Sequence, residues 1–387
     1  MKLIGKLVIG IVSGIIIGLV APEFLIRIIV TFKELFGQFL GFTIPLIIIF
    51  YIASGIASFG KHSGKMLGIT AAIAYASTIL AGTLAFIVAL IIIPRLVGSS
   101  GGSAEEGAGF EPFFELAIDP ITGVMTALAI AFVFGIGVTR INSPTLQSFF
   151  DEGKEIVERL IWKIIIPFLP FYIASIFAEL GADGAVFETL KAFGLVLVMA
   201  VVVHWIWLII LYIIAGTYTG KNPFSALKTM LPAYFTGLGT MSSAATIPVT
   251  VRATKNNKVS DGVADSAVPL CATIHLSGST ITLVICSVAV MVLANGLSLP
   301  TFGMMMPFIF MLGIIMIAAP GVPGGAVMAA LGLLSTMLGF DETTLGLMIA
   351  LYMAQDSFGT ATNVTGDGAI ALLVDKFIGD SSNDNAA

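Results

Sequence analysis

Charged side chains are scarce in this sequence of 387 residues and make up only 11% of it. Soluble globular domains carry about 25% charged residues, so a large water-soluble domain is excluded as a description of the chain. Hydrophobic residues, in contrast, make up 57% of the sequence. Because a helical bilayer crossing takes about 20 apolar residues, this composition predicts an all-α polytopic membrane protein.

Cysteine is also rare. The two cysteines, Cys271 and Cys286, both lie in apolar stretches. This excludes the disulfide framework that is typical of small secreted domains.

Lysine and arginine are absent from residues 259–375, although this region carries acidic residues within apolar segments. Asp356 and Asp367 lie between the apolar runs 345–351 and 369–374. An ionised carboxylate at bilayer depth costs at least about 2.5–3.5 kcal/mol unless it is compensated. With no basic side chain nearby in the sequence, we expect the compensating charge to be a bound cation, a proton or the ammonium group of a substrate. A transport site is the leading hypothesis.

Apolar runs divide the chain into a series of predicted spans. These cover residues 7–21, 28–58, 66–94, 120–139, 155–180 and 190–217, followed by a denser region from 223 to 378. Lys2 and Lys6 precede the first span, which resembles a signal peptide but lacks a cleavage pattern, so we interpret it as an uncleaved helix. Residues 98–109 are rich in Gly, Ser and Glu and are predicted to form a flexible external loop.

Loop charges alternate in sign along the chain. One set of loops is basic, with Lys2, Lys6, Lys61, Lys65, Arg140, Lys154, Lys221, Lys228, Arg252, Lys255, Lys258 and Lys376. The alternate loops hold Glu105, Glu106, Glu111, Glu115, Asp119, Glu179, Asp183, Glu188, Asp341 and Glu342. Because cytoplasmic loops carry an excess of lysine and arginine, the first set and both termini are predicted to be cytoplasmic.

Two apolar segments near the end of the chain are interrupted by small and helix-breaking residues, at 237–248 and 318–325. Each precedes a segment with polar residues at depth, 273–279 and 356–367 respectively. The arms on either side of each interruption are too short to cross separately, which predicts two re-entrant hairpins. Such paired interruptions are typical of a transporter's midplane site. The alternative is that glycine and proline only kink ordinary spans.

Four polar side chains share one face of the last predicted helix. At about 100° per residue, Asp356, Thr360, Asn363 and Asp367 form a stripe about 16 Å long. These hard oxygen ligands, with carbonyls from an unwound partner helix, suit a small cation such as Na⁺. Residues 365–367 could also open the last helix locally and free its carbonyls. The alternative is that the polar groups only link helices by hydrogen bonds.

Serine and histidine at depth add further candidates. Ser242 and Ser243 lie at the first hairpin tip, where helix N-termini favour a substrate carboxylate. His275 is either a core residue or a proton carrier. His62 is interpreted as a loop residue and His204, beside two tryptophans, as an interface or packing residue.

These motifs together resemble the dicarboxylate/amino acid:cation symporter family. The sequence Asn-Val-Thr-Gly-Asp at 363–367 is similar to that family's last-helix signature. Residues 242–250 are similar to its first hairpin and 321–324 to its second hairpin tip. The resemblance implies eight transmembrane helices, two re-entrant hairpins, inverted repeats, an elevator-type mechanism and a homotrimer in the cell (inner) membrane.

The resemblance also implies a division into domains. Residues 1–65 form scaffold helices 1 and 2, and 66–94 form helix 3 of the transport domain. Residues 95–217 contain scaffold helices 4 to 6 and the external loop. Residues 223–378 complete the transport domain with both hairpins and helices 7 and 8, and 379–387 form a disordered tail.

The site residues implied by the resemblance fall into three sets. Substrate-binding positions are Ser242, Ser243, Ser279, Val322, Pro323, Gly324, Asp356, Gly359, Thr360 and Asn363. Na⁺-binding positions are Cys271, Thr273, His275, Ala318, Ala319, Asn363 and Asp367. A third cation site is implied at Ser77, Thr78 and Ser277, weakened because Ser277 replaces a carboxylate and Ala74 a tyrosine. Ser243 would bind the substrate carboxylate and Asp356 its amino group.

Two departures from the family bear on specificity. Members that carry acidic substrates place an arginine at the position of Gly359 or of Met241. Without a guanidinium group, a second substrate carboxylate would be buried unpaired, at a cost of several kcal/mol. The sequence therefore predicts a neutral, zwitterionic amino acid.

We accordingly predict a secondary active symporter, not an enzyme, that couples Na⁺ entry to uptake of a neutral amino acid. The alternative is a proton-coupled carrier of another small carboxylate solute that uses His275. We weigh two further alternatives. A channel would not show saturable uptake, and an intramembrane aspartyl protease needs two adjacent carboxylates, which Asp356 and Asp367 on one helix do not provide. The expected partners are the amino acid, the lipid bilayer and two further copies of the chain, with no nucleic acid.

Overall fold

The computed structural model describes residues 3–60, 65–96, 110–184, 186–294, 297–317, 319 and 323–384. Within these ranges the regular structure is helical and contains no strand. The helices are α1 Leu3–Val20, α2 Glu23–Gly60, α3 Lys65–Leu96, α4 Val124–Ile141, α5 Pro144–Leu160, α6 Ile166–Ala182, α7 Val186–Thr219, α8 Pro223–Thr229, α9 Leu231–Thr240, α10 Ser243–Asn256, α11 Asp261–Ile274, α12 Ser277–Leu293, α13 Phe302–Met316, α14 Gly325–Leu338 and α15 Glu342–Asp384. A π-helical turn, Ile161–Ile165, joins α5 to α6.

Six spans in the described part of the chain are long and apolar enough to cross a membrane. Five of them overlap the predicted spans from 28–58 to 190–217, with α5 and α6 together forming one, and the sixth, Asp261–Leu293, lies in the denser region from 223 to 378. The first predicted span is α1. The predicted external loop at 98–109 lies outside the described residues. The polytopic helical prediction is confirmed.

The helices pack in two groups. The N-terminal group consists of α1, α2, α4, α5 and α6, with α1 against α6 and α2 against α4. Small residues permit the first contact, because a Cβ at Gly10, Gly14 or Gly18 would overlap the backbone of α6. The C-terminal group consists of α3 and α7 to α15, centred on α12 and α15.

Helix α7 departs from the predicted grouping. The predicted scaffold included residues 95–217, but α7 packs mainly against α15, α8, α12 and α3 of the C-terminal group. Its apolar surface alone cannot specify a partner, because its hydrophobic residues surround the helix. The packing therefore favours counting α7 with the C-terminal group.

Both predicted hairpins are present. Helices α9 and α10 pack against each other, joined at Met241 and Ser242. Met241 turns the chain with a left-handed φ of 55°, and the Ser242 side chain caps α10 by accepting the Ala245 N–H. The second hairpin is formed by α13 and α14, and Gly324, with φ 75°, precedes α14. A positive φ is accommodated by glycine without steric cost.

Of the two openings considered from the sequence, the structure shows the one in a partner helix, between α11 and α12, and not the one in α15. His275 and Leu276 have non-helical backbone angles and separate α11 from α12. By contrast, α15 is continuous from Glu342 to Asp384, so the predicted opening at 365–367 is wrong. The helix also extends into the predicted disordered tail at 379–387, as far as Asp384, because each added residue of a formed helix gains a hydrogen bond.

Loops from different parts of the sequence meet at the basic end of the molecule. The Lys221 ammonium donates to the carbonyl oxygens of Asn257 (2.6 Å) and Lys258 (3.1 Å). The Ser260 hydroxyl donates to Asp375 at 2.6 Å, beside Lys376. The predicted grouping of basic loops on one side is consistent with these contacts, whereas the cytoplasmic orientation stays a prediction.

Candidate transport site

The N-terminus of α12 is held by a side chain of α15. The Asn363 Oδ1 atom accepts the backbone N–H groups of Gly278 (2.7 Å) and Ser279 (3.2 Å). The Asn363 Nδ2 atom donates to the Ser279 hydroxyl at 2.9 Å. Helices α12 and α15 approach closely at Gly278, which has no side chain. A Cβ at this position would overlap the carbonyl oxygen of Gly359. Asn363 therefore fixes the broken helix against the polar stripe.

Asp356 meets the second hairpin. Its carboxylate is buried, with 4% of the residue exposed, and accepts the Gly324 N–H at 2.8 Å. Since Gly324 directly precedes α14, the carboxylate lies at a helix N-terminus, whose partial positive charge stabilises it. The second hairpin tip thus contacts the residue predicted to bind the substrate amino group.

Asp367 meets the break between α11 and α12. Its Oδ1 atom lies 2.9 Å from His275 Nδ1, and His275 Nε2 lies 2.9 Å from the Ser77 hydroxyl of α3. A neutral imidazole protonated at Nδ1 satisfies both contacts, donating to Asp367 and accepting from Ser77. The other carboxylate oxygen, Oδ2, is buried and has no hydrogen-bond partner among the described residues.

These contacts correct one expectation. The charges of Asp356 and Asp367 are compensated in part by the protein's own groups, Gly324 N–H and His275, and not only by a mobile cation, proton or substrate. His275 is distant from Asp367 in the sequence, which is why a search for nearby basic residues did not find it. The Asp367 Oδ2 atom remains without a hydrogen-bond partner in the part of the chain that the structure describes.

The side chains of Ser77, His275 and Asp367 are linked by hydrogen bonds in the same sequence as the serine, histidine and aspartate of a hydrolase triad. The serine is 5% exposed and the histidine 0% exposed, and both are enclosed between α3, α11 and α15. A nucleophile needs space for a substrate carbonyl beside it, which this enclosure does not leave. The three residues therefore form a polar link between helices.

The other predicted substrate residues lie at the two hairpins and on α15. Ser242 is the cap of α10, Ser243 is its buried first residue, and Thr360 is buried on α15. Gly359 faces α12, since a Cβ there would lie 3.3 Å from the Thr282 hydroxyl. Pro323 is half-buried before Gly324. Val322 lies outside the described residues.

The predicted cation residues are only partly brought together. The Cys271 carbonyl accepts the His275 N–H at 2.8 Å. Both cysteines are free and buried. Thr273 is exposed and its hydroxyl donates to the Leu270 carbonyl at 2.8 Å, while Ala319 is buried near the second hairpin tip. Ala318 lies outside the described residues.

The third cation site is altered by the histidine. Ser77 contacts His275, and the Thr78 hydroxyl donates to the Ala74 carbonyl at 2.9 Å. The Ser277 hydroxyl is buried without a partner among the described residues. The imidazole thus lies between Ser77 and Asp367, that is, between two of the predicted cation positions.

Four residues near the site were missed. Tyr352 and Thr282 lie beside the polar stripe, and Tyr212 donates its hydroxyl to the Thr365 carbonyl at 2.8 Å. His204, interpreted as an interface or packing residue, is 1% exposed, and its Nε2 lies 3.0 Å from the Gly278 carbonyl oxygen. The sequence signal that could have found them is polarity within apolar spans, at His204 and Tyr212 on α7 and at Tyr352, one turn before Asp356.

A family model described as the sodium:dicarboxylate symporter family matches residues 3–377. The chain belongs to this family. The chain is 30% identical over 257 residues to excitatory amino acid transporter 1 of Ambystoma tigrinum, covering 65% of this chain and 46% of that protein. It is 29% identical over the same length to the Homo sapiens transporter of that name, with the same coverage.

A bacterial relative is matched over more of its length. Serine/threonine transporter SstT of Streptococcus suis is 28% identical over 305 residues, covering 75% of this chain and 83% of that protein. The chain spans about half the length of the excitatory amino acid transporters that it matches.

Proposed function

We propose that this chain is a secondary active symporter that couples Na⁺ entry to uptake of a neutral, zwitterionic amino acid. The observation that carries the proposal is the buried Asp367 Oδ2 atom, which has no hydrogen-bond partner among the described residues. Buried polar atoms are nearly always satisfied, and an ionised one at bilayer depth is especially costly. A carboxylate oxygen is a favourable ligand for a hard cation such as Na⁺.

The substrate site lies between Asp356, Asn363 and the two hairpin tips. Asp356 provides a negative charge for the substrate ammonium group, and the N-terminus of α10 at Ser243 provides partial positive charge for its carboxylate. No arginine or lysine occurs in residues 259–375, and Gly359 and Met241 occupy the two alternative arginine positions. The site therefore offers a partner for one amino group and one carboxylate of the substrate, but none for a second carboxylate.

The two packing groups support an elevator mechanism. Contacts between them are largely apolar and involve small residues, such as Gly332 against Ile44 and Val124. An example of a polar contact is the Tyr172 hydroxyl, which donates to the Glu342 carbonyl at 3.0 Å. Surfaces of this kind slide with few polar bonds to break. We propose that the C-terminal group moves against the N-terminal group in a homotrimer, with both termini cytoplasmic.

Thermal stabilisation of the detergent-purified protein tests this function. We expect a neutral amino acid to raise the melting temperature in Na⁺ and not in choline, since bound ligands stabilise by mass action. Aspartate and glutamate are expected to give no shift. Binding without Na⁺ dependence, followed by uptake driven by a pH gradient, would instead support the proton-coupled alternative, which the His275–Asp367 contact favours.

The position of His275 leads to a prediction about ion stoichiometry. Because the imidazole fills the gap between Ser77 and Asp367, we expect fewer than three Na⁺ per cycle. The double variant His275→Asn with Ser277→Asp removes the ring and adds a carboxylate at a buried position whose hydroxyl has no described partner. We expect this variant to bind one additional Na⁺. Reversal potentials in proteoliposomes measure the ratio, and a wild-type ratio of three would contradict the prediction.

A further inference from the structure

Three carboxyl groups surround one buried lysine where the two packing groups meet, at the end of the molecule opposite the basic loops. The Lys33 ammonium on α2 bonds Glu179 of α6 at 2.7 Å and its neighbour Glu34 at 3.2 Å. The third carboxyl belongs to Glu342, the first residue of α15, and lies against that of Glu34. Because α2 belongs to the N-terminal group and α15 to the C-terminal group, the contact between Glu34 and Glu342 crosses the boundary between them.

Helix α2 leaves room for the Glu342 carboxyl. Gly37 lies one turn after Lys33 and Glu34, and a Cβ at this position would lie 2.5 Å from the Glu342 Oε2 atom. That oxygen is buried and has no hydrogen-bond partner among the described residues. Lys33 is engaged by two carboxylates of its own group. Two carboxyl groups in contact cannot both ionise without repulsion, so Glu34 and Glu342 are suited to share one proton.

The other groups around Glu342 do not supply a cation. The Tyr172 hydroxyl of α6 donates to the Glu342 carbonyl oxygen, and Asp341 is engaged with the Thr344 N–H at 2.8 Å. On α2, Arg27 donates instead to the carbonyl oxygen of Glu111 at 3.0 Å. Helix α14, which also packs against α2, carries no charged residue. Further acidic residues at this end are Asp183 at the end of α6 and Asp119 before α4.

A cavity beside Glu342 gives the carboxyl pair access to water and gives α15 room to move. The cavity has a volume of about 340 Å³ and is lined by α2, α4 and α6 of one group and by α14 and α15 of the other. It is large enough for several water molecules, through which a proton exchanges. Burial and the Glu34 carboxyl raise the pKa of Glu342 from its usual 4.5 to about 7.

We propose that Glu34 and Glu342 form a latch between the two packing groups. One proton shared by the two carboxyl groups holds α15 against α2, and loss of that proton to water lets the C-terminal group move away. The latch regulates the position of the groups and is independent of the solute carried, because neither carboxyl belongs to the proposed substrate or cation site.

The direction of the pH effect follows from the two positions of Glu342. In contact with Glu34 its pKa is about 7, whereas in water it has the usual value of 4.5. Protonation therefore favours the closed latch, fully below about pH 4.5 and progressively less up to about pH 7. The ratio of closed to open molecules is expected to fall by at least about tenfold between about pH 5.5 and about pH 8.5.

Distances between spin labels on the two groups measure this ratio. One label is placed at Leu116, in the segment before α4 whose backbone is bonded to α2, and the other at Leu299, between α12 and α13. Both residues are exposed, whereas Cys271 and Cys286 are buried and are replaced by alanine. Labelled chains are diluted with unlabelled chains in lipid nanodiscs, so that distances within one chain are recorded. The samples contain choline and no amino acid.

Variants of Glu342 separate the proton from the contact. Glu342→Gln gives Glu34 a permanent donor and is expected to keep the distance of the closed latch at both pH values. Glu342→Ala removes the contact and is expected to give the distance of the open latch at both. The matched control is Asp341→Asn, since asparagine also caps a helix N-terminus. This control should keep the pH dependence of the wild type.

Two outcomes would overturn the proposal. Identical distances in the wild type at both pH values would mean that no proton holds the groups together. A pH-dependent change that persists in Glu342→Gln would mean that the proton is bound elsewhere. Either result leaves the proposed symport intact, since failure of that function would instead appear as the absence of Na⁺-dependent amino acid binding.

Discussion

Replacing Asp367 by asparagine is expected to lower Na⁺ affinity by at least about 100-fold and to abolish Na⁺-dependent amino acid binding at moderate salt. The amide keeps the shape of the side chain and its contact with His275, but removes the charge from the buried oxygen that lacks a protein partner. Loss of one partner from a buried charge pair costs about 3–5 kcal/mol. Each 1.4 kcal/mol is a tenfold change in affinity, so a loss of about two to three and a half decades is expected.

Na⁺ titrations of thermal stability at a saturating amino acid concentration measure this effect. Asp375→Asn is the matched control, because Asp375 lies on the same helix and bonds Ser260 at the basic end of the molecule. The control is expected to keep wild-type Na⁺ affinity. If Asp367→Asn is folded and titrates with Na⁺ as the wild type does, the cation is bound elsewhere and the assignment to Asp367 fails.

The spans and the hairpins were predictable because their signals are local. Runs of apolar residues fix helix length in a bilayer, and the predicted interruption at 237–248 contains the break that the structure shows at Met241 and Ser242. The polar stripe followed from helical periodicity alone, since α15 is continuous through Asp356 and Asp367. The resemblance to a symporter family, which rested on those same segments, is confirmed by a family match to residues 3–377.

Contacts between distant segments could not be predicted in the same way. His275 was considered as a core residue or a proton carrier, and only the packing of α11 against α15 brings it to Asp367. Asn363 was expected to contact substrate and cation, whereas here its side chain caps α12. A helix break frees N–H groups that some side chain must satisfy, but the sequence does not say which one.

The assignment of α7 to a packing group has the same origin. Helix α7 is apolar around its whole circumference, so its sequence is compatible with a place in either group. Its buried polar atoms favour the C-terminal group, because His204 lies 3.0 Å from the Gly278 carbonyl oxygen of α12 and Tyr212 donates to the Thr365 carbonyl of α15. Polar residues within an apolar span are thus a better guide to its partner than the apolar residues are.

Introducing an arginine at Gly359 is expected to change the proposed preference of this chain from neutral to acidic amino acids. A guanidinium group would pair with the second carboxylate of aspartate or glutamate, which the wild-type site leaves unpaired beside Asp356. A missing partner for a buried charge costs about 2–5 kcal/mol, so Gly359→Arg should raise aspartate affinity by at least about 30-fold. Neutral amino acids should bind more weakly, because the new charge is then unpaired.

The structure accommodates the first carbon of a side chain at residue 359 at a small steric cost. A Cβ at residue 359 would lie 3.3 Å from the Thr282 hydroxyl and 3.5 Å from the Ser279 Cα, so α12 needs to yield by only a few tenths of an ångström. Gly359→Gln is the control, since it adds a side chain of comparable reach without the charge. Competition between aspartate and the preferred neutral amino acid in Na⁺ measures the switch. If the glutamine variant gains aspartate binding equally, volume and not charge sets the specificity. If the arginine variant binds neutral amino acids as before and no acidic ones, residue 359 does not face the substrate side chain, and the neutral-substrate assignment loses its basis.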